Sequence, residues 1–179
     1  MATRTFGASA GNWSDPTKWV EGAKPTASDD VVFNASSANV VMDELGVWAS
    51  FDSSAYAGTQ SGTFGMTQTG PAAASNVKLG GTITCTGLLT LNAAAGQYVY
   101  LYCNGKTWGG GITTSGAGTV WRADATACAG AFTAGGPVLG NGFALTAATA
   151  SIGAIAFDMA SCLVTLSGSG AVWAINASA

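Results

Sequence analysis

The chain contains no histidine, and only 8% of its residues are charged. Without histidine there is no Ser-His or Cys-His nucleophile pair, no imidazole general base and no His-ligated metal. The scarcity of charge also removes the i,i+4 ion pairs that support solvent-facing helices. The six basic residues, Arg4, Lys18, Lys24, Lys78, Lys106 and Arg122, are scattered. No cluster is left to neutralise phosphates, so direct nucleic-acid binding is not expected. No run of apolar residues free of Gly or polar interruption is long enough to span a bilayer as a helix, so no membrane partner is expected. Cys85, Cys103, Cys128 and Cys162 include no C-x-x-C pair, which excludes zinc-ribbon and thioredoxin-like chemistry. They read as small buried hydrophobes in strands, with disulfides in a secreted chain as the alternative. The opening Met1–Gly7 lacks the apolar core of a signal peptide, so synthesis in the cytoplasm is expected.

What is abundant is small side chains. Gly, Ala, Ser and Thr make up more than half of the 179 residues. Gly and Ser weaken helix interiors, so the composition predicts a β-rich chain of about one domain. Two textures are visible. Residues 1–55 hold most of the charge, with Trp13, Trp19, Trp48, Pro16 and Pro25, and read as an acidic arm or cap with the first strands. Residues 56–179 are rich in Gly, Ala and Thr with short apolar runs, and read as the body.

The body has a rough internal period. Apolar triplets begin at Val77, Val99, Val120, Val138, Ile155 and Val172, at spacings of 22, 21, 18, 17 and 17 residues. Each is followed by an alternating run with β-branched residues, such as Thr82–Thr86, Phe143–Thr146 or Leu163–Leu166. Gly80-Gly81, Asn104-Gly105, Gly135-Gly136-Pro137 and Asn141-Gly142 mark corners. Two or three short strands in a period of about twenty residues are the signature of a β-solenoid, whose narrow interior suits Ala, Thr, Val, Ile and Cys. An antiparallel β-sandwich with evenly spaced strands is the alternative fold.

A solenoid leaves strand edges open at its ends. The apolar run containing Val172, Trp173 and Ile175 offers no cap, and a chain this poor in charge is a poor free monomer. Homo-oligomerisation, most simply a trimer, is therefore expected. Tyr98, Tyr100 and Tyr102 alternate on one strand and point to one face, with Val99, Leu101 and Cys103 on the other. An exposed tyrosine row is a platform for sugar stacking or protein contact. The candidate interface residues are thus Trp13, Trp19, Tyr98, Tyr100, Tyr102, Val172, Trp173 and Ile175.

The acidic and threonine residues suggest other chemistry. Asp29 and Asp30, with Asp15, supply oxygens for calcium, but there is no D-x-D-x-D-G loop, and a polar turn accounts for them. Asp43, Glu44 and Asp52 form a carboxylate set of the kind that cleaves glycosides, although their neighbours are Val, Met and Leu. Thr82, Thr84 and Thr86 alternate like the arrays of ice-binding solenoids, without an obvious repeat on later segments. No catalytic residue, cofactor or metal is assigned.

Gly11-Asn12-Trp13-Ser14-Asp15-Pro16-Thr17-Lys18-Trp19, followed by Pro25 to Phe33, resembles the "G-N-W-x-D-x-x-x-W … P-x-x-x-D-x-V-x-F" opening of repetitive β-helical proteins, among them tailed-phage virion proteins and autotransporter-like surface proteins. Asn104-Gly105-Lys106-Thr107-Trp108-Gly109-Gly110 is similar to an "N-G-K-T-hydrophobic-G-G" corner, and Leu166 to Trp173 to an "L-x-G-x-G-x-x-W" coil, of phage β-helical structural proteins. The resemblance implies a non-enzymatic virion protein. The expected role is capsid decoration, with oligomers bridging subunits of the major capsid protein. A tail or fibre component, and a secreted β-helical adhesin or carbohydrate-binding module, are the alternatives.

Overall fold

A computed structural model describes residues 1–69, 74–139, 144–152, 157–158, 164–166 and 173–175. The chain winds through short strands that recur in fixed order on three faces. The first face is one eight-stranded sheet of Thr3–Thr5, Asp30–Val32, Ser50–Asp52, Ala74–Lys78, Tyr98–Tyr102, Thr119–Arg122, Val138–Leu139 and Phe157–Asp158. The third face is a seven-stranded sheet running from Gly46–Trp48 through Met66–Gln68, Leu89–Asn92, Ile112–Ser115, Ala131–Ala134 and Thr149–Ile152 to Trp173–Ile175. Between them in chain order lie two four-stranded sheets. One holds Gly11–Asn12, Val40–Met42, Thr59–Gly62 and Thr82–Ile83, the other Thr107–Trp108, Thr126–Cys128, Leu145–Ala147 and Val164–Leu166.

Every strand pairing among the described residues is parallel, as in Val31↔Phe51 and Ile112↔Phe132. The molecule is a β-solenoid, and the antiparallel sandwich is excluded. The one antiparallel contact described is an isolated bridge between Phe6 and Trp19. The one described helix is a 3-10 turn, Pro16–Lys18, whose N-terminus is capped by the Asp15 carboxylate accepting the Thr17 N–H.

Stacking in register turns the interior into columns. On the first face Val31, Phe51, Val77, Leu101 and Arg122 follow one another at 20, 26, 24 and 21 residues. On the third face Met66, Leu89, Ile112 and Phe132 do the same. All of these side chains are buried, including Arg122, whose Nη1 donates to the Ala144 carbonyl at 3.2 Å. Buried Gln60 and Gln68 satisfy corner backbone: Gln60 Nε2 donates to the Gly80 carbonyl, and Gln68 accepts the Asn92 N–H at 3.1 Å.

Corners are tied across windings. Asn104 (φ 52°) and Gly105 (φ 71°) form a left-handed pair that reverses the chain after Tyr98–Tyr102. The Asn104 amide donates back to the Leu79 carbonyl at 2.8 Å, while the Asp124 carboxylate from the next winding accepts the Cys103 N–H at 2.7 Å. At Gly80 a Cβ would run into the Ser53 carbonyl one winding earlier, so only glycine allows that approach.

The sequence periodicity is partly the true register. Val99, Val120 and Val138 do form one column. Val77 stands one column over, opposite Leu101, because the two windings joined there differ in length. Ile155 and Val172 lie outside the described residues, and Trp173–Ile175 stacks on the third face, not on the first. Strands before and after residue 55 share one ladder, with Phe51 paired to Val77.

The N-terminal end is filled with aromatic rings. Trp13 and Trp19 meet edge to face at 4.9 Å, Phe6 meets Trp19 at 5.2 Å, and Phe33 contacts Phe6, Phe51 and Tyr56 at 5.2, 5.6 and 5.2 Å. Trp19 Nε1 donates to the Trp13 carbonyl at 3.0 Å, so even its polar atom is used internally. Trp13 and Trp19 therefore sit inside, 1% and 2% exposed, and not on a partner-facing surface as the sequence suggested. Edge-to-face rings give such clusters energy beyond the area they bury. Phe33→Ala is expected to cost about 3–5 kcal/mol in urea unfolding, whereas Val20→Ser, at an exposed position, should stay within about 0.5 kcal/mol of the parent.

Candidate functional site

The carboxylates read from the sequence as possible metal or acid-base groups are each used within the fold. Asp29 accepts from the Ala2 N–H at 3.2 Å, Arg4 Nε at 3.3 Å, and the Thr26 N–H and hydroxyl at 3.1 and 2.9 Å. Asp30 accepts instead from the Ser50 hydroxyl at 2.6 Å on the next winding, and Asp15 caps its own turn. Asp43 holds Ser14 through its N–H (3.0 Å) and hydroxyl (2.6 Å). Glu44 pairs with Lys24 at 2.6 Å, and Asp52 with Lys78 at 3.0 Å. Partial burial pushes the Asp29, Asp43 and Asp52 carboxyls up, but the hydrogen bonds they accept outweigh it and hold each below the ordinary aspartate value. A glycosidase acid needs the opposite shift. No group of three or more potential metal ligands occurs among the described residues.

The cysteines Cys85, Cys103 and Cys128 are buried free thiols, as the alternation implied, and Cys162 lies outside the described residues. Burial raises their pKa to about 11, 12 and 11. No described helix is long and apolar enough to cross a membrane.

The outward surfaces are more distinctive. On the first face Val99, Leu101 and Cys103 point inward, and Tyr98, Tyr100 and Tyr102 outward, as the alternation predicted. Tyr98 is 43% exposed, and the other two are half-buried. In the next winding Trp121 sits beside Tyr100, with ring centroids 6.2 Å apart. In the preceding winding Asn76 is level with Tyr100, and Lys78 with Tyr102, and Lys78 is bound to Asp52. Thr119 flanks Tyr98. The result is an aromatic strip edged by hydrogen-bonding side chains. Trp121 escaped sequence reading because a Trp between Val and Arg suggests that Trp faces in and Arg faces out. The alternation Val120 in, Trp121 out, Arg122 in was the available signal.

A second feature lies at the corner leading into the third face. Leu45, Phe64 and Leu88, from three successive windings, are 52%, 48% and 47% exposed, with Val41 nearby on the second face at 41%. Along the same edge the following windings carry Gly110-Gly111 and Gly130, bare of side chains. The third face itself carries an outward column of Thr67, Thr90, Thr113 and Thr133, continued by Ser151. That repeat was hidden in the sequence by unequal winding lengths, and it is not the Thr82-Thr84-Thr86 row. Val172 is outside the described residues, and of Trp173 and Ile175 only the strand position is described.

Compared with family models, with curated proteins and with solved structures, the chain matched none.

Two measurements check this account. In native protein at pH 8, Cys85, Cys103 and Cys128 are expected to resist alkylation by iodoacetamide and to react once urea unfolds the chain, since both burial and a raised pKa suppress the thiolate. For Asp29 the folded pKa lies below the unfolded one. The unfolded state then binds more protons between the two values, and stability rises with pH across that window. The contribution is complete above the ordinary aspartate pKa of about 3.9 and is lost as pH falls through the lower folded value. The acid-side fall of the thermal midpoint should therefore be shallower in Asp29→Asn than in the parent.

Proposed function

We propose that the protein is a non-enzymatic structural component of a virion, a capsid decoration protein that works bound to copies of itself and to the major capsid protein. The observation that carries this reading is the exposed apolar corner of Leu45, Phe64 and Leu88 on a body that is otherwise short of charge. Clustered exposed apolar side chains mark contact surfaces, whereas single ones do not. The knobs of the earlier windings and the glycine edge of the later ones lie on one line, which suits side-by-side packing of copies. Further support comes from the carboxylates, which the fold consumes in structural hydrogen bonds, and from the resemblance of the Trp13–Trp19 segment to β-helical virion proteins.

Immunogold labelling of purified particles with antibody against the chain tests the assignment. Label over the heads is expected. Label confined to tails would make the chain a tail or fibre component, and absence from particles with recovery at the cell surface would make it an adhesin. Phe64→Asp combined with Leu88→Asp is expected to release the protein from particles and to lower its oligomer mass in light scattering while leaving its circular dichroism unchanged.

A further inference from the structure

We infer that the aromatic strip of the first face is a binding site for neutral oligosaccharide. A sugar ring offers two surfaces, an apolar face of C–H groups that stacks on aromatic rings and a rim of hydroxyls that takes hydrogen bonds in both directions. The strip supplies both. Tyr98, Tyr100 and Tyr102 stand outward on one strand, and Trp121 adds a fourth ring beside Tyr100 at 6.2 Å. From Tyr98 to Tyr102 the strip runs roughly 13 Å, four residue steps of a β-strand, which is room for a short run of sugar rings.

The rim groups are available. Among the described residues the hydroxyls of Tyr98, Tyr100 and Tyr102 and the amide of Asn76 make no hydrogen bond within the chain. Asn76 is exposed and level with Tyr100. Lys78 and Asp52, beside Tyr102, bind each other at 3.0 Å with more than a third of each side chain exposed, so together they offer donors and acceptors without net charge. That cancellation is why a neutral sugar fits better than an acidic one. A protein partner fits less well. The centres of protein interfaces are depleted in Lys, Asp and Ser, and here Lys78, Asp52 and Asn76 line the rings, with Ala74 and Leu139 as aliphatic neighbours in the register.

The site is distinct from the apolar corner, so its test does not depend on the virion reading. The full chain is mixed with cellohexaose, maltohexaose or chitohexaose at millimolar concentration, and saturation transfer from protein to sugar C–H protons is recorded by NMR. At least one hexasaccharide is expected to receive saturation, most strongly on its ring-face protons. Trp121→Ala is expected to weaken that binding at least about tenfold. Tyr100→Phe keeps the ring, and hence the fold, and is expected to retain the saturation pattern with a smaller loss of affinity. Absence of transfer to all three sugars overturns the proposal. Transfer that persists unchanged in Trp121→Ala also overturns it, since binding is then elsewhere. So does a Trp121→Ala variant that loses self-association while the parent ignores every sugar, because the strip is then a protein interface.

Discussion

In-register parallel stacking of the backbone is the constraint on which everything else rests. Each strand inside a sheet pairs with the windings before and after it, at a separation of about 4.8 Å. A side chain therefore meets the equivalent side chain of its neighbours at close range, and the fold becomes a set of columns. Inside, the column Val31, Phe51, Val77 and Leu101 is fully buried. Outside, a column of like charges would repel at every step. Asp52 and Lys78, level in adjacent windings, form a complementary pair and not a like-charged column. The low charge of the chain is thus a property of columns before it is a statement about partners.

The same constraint accounts for the glycines. Adjacent windings approach so closely at the corners that a Cβ on Gly80 would strike the Ser53 carbonyl. Corner side chains that are tolerated bridge windings instead, as Asn104 does to Leu79 and Asp124 does to Cys103. Polar groups thereby lock the geometry that the interior columns require. The aspartates that looked chemically interesting belong to this class. Asp29 gathers the N-terminal strand, Arg4 and Thr26 around one carboxylate, which acts as a clamp.

How much of this was legible in the sequence depended on winding length. Alternation is local, so the inward and outward sides of Tyr98–Tyr102 and the burial of the cysteines could be read directly. Register between windings is not local. Spacings of 18 to 27 residues along the first face defeat a fixed period, which is why the sequence misaligns Val77 and hides the Thr67-Thr90-Thr113-Thr133 column. Residue type misled where the interior accepted an exception. A buried Arg122 turns Trp121 outward, against the hydropathy of both residues. Trp13 and Trp19 misled in the other direction. They are named among the interface residues from the sequence, yet both rings are buried inside the first windings. Leu45, Phe64 and Leu88 gave no signal, because an apolar residue beside a corner carries no periodicity of its own.

The placement of the two outward features has a consequence for binding strength. The aromatic strip lies on the first face and the apolar corner at the approach to the third, so contact through one leaves the other uncovered. A single strip of three tyrosines and a tryptophan on a sheet face predicts weak attachment to sugar. Copies packed through the corner would hold several such strips rigidly with respect to one another. Binding of a second strip to the same glycan then becomes intramolecular, and avidity rises without any new contact. The solenoid suits this arrangement because its ladder fixes the strip before a ligand arrives, so little ordering opposes association. On the proposed reading, the rigidity imposed by stacking would keep the strips aligned, and the small, uncharged side chains that make up most of the chain are what permit that stacking.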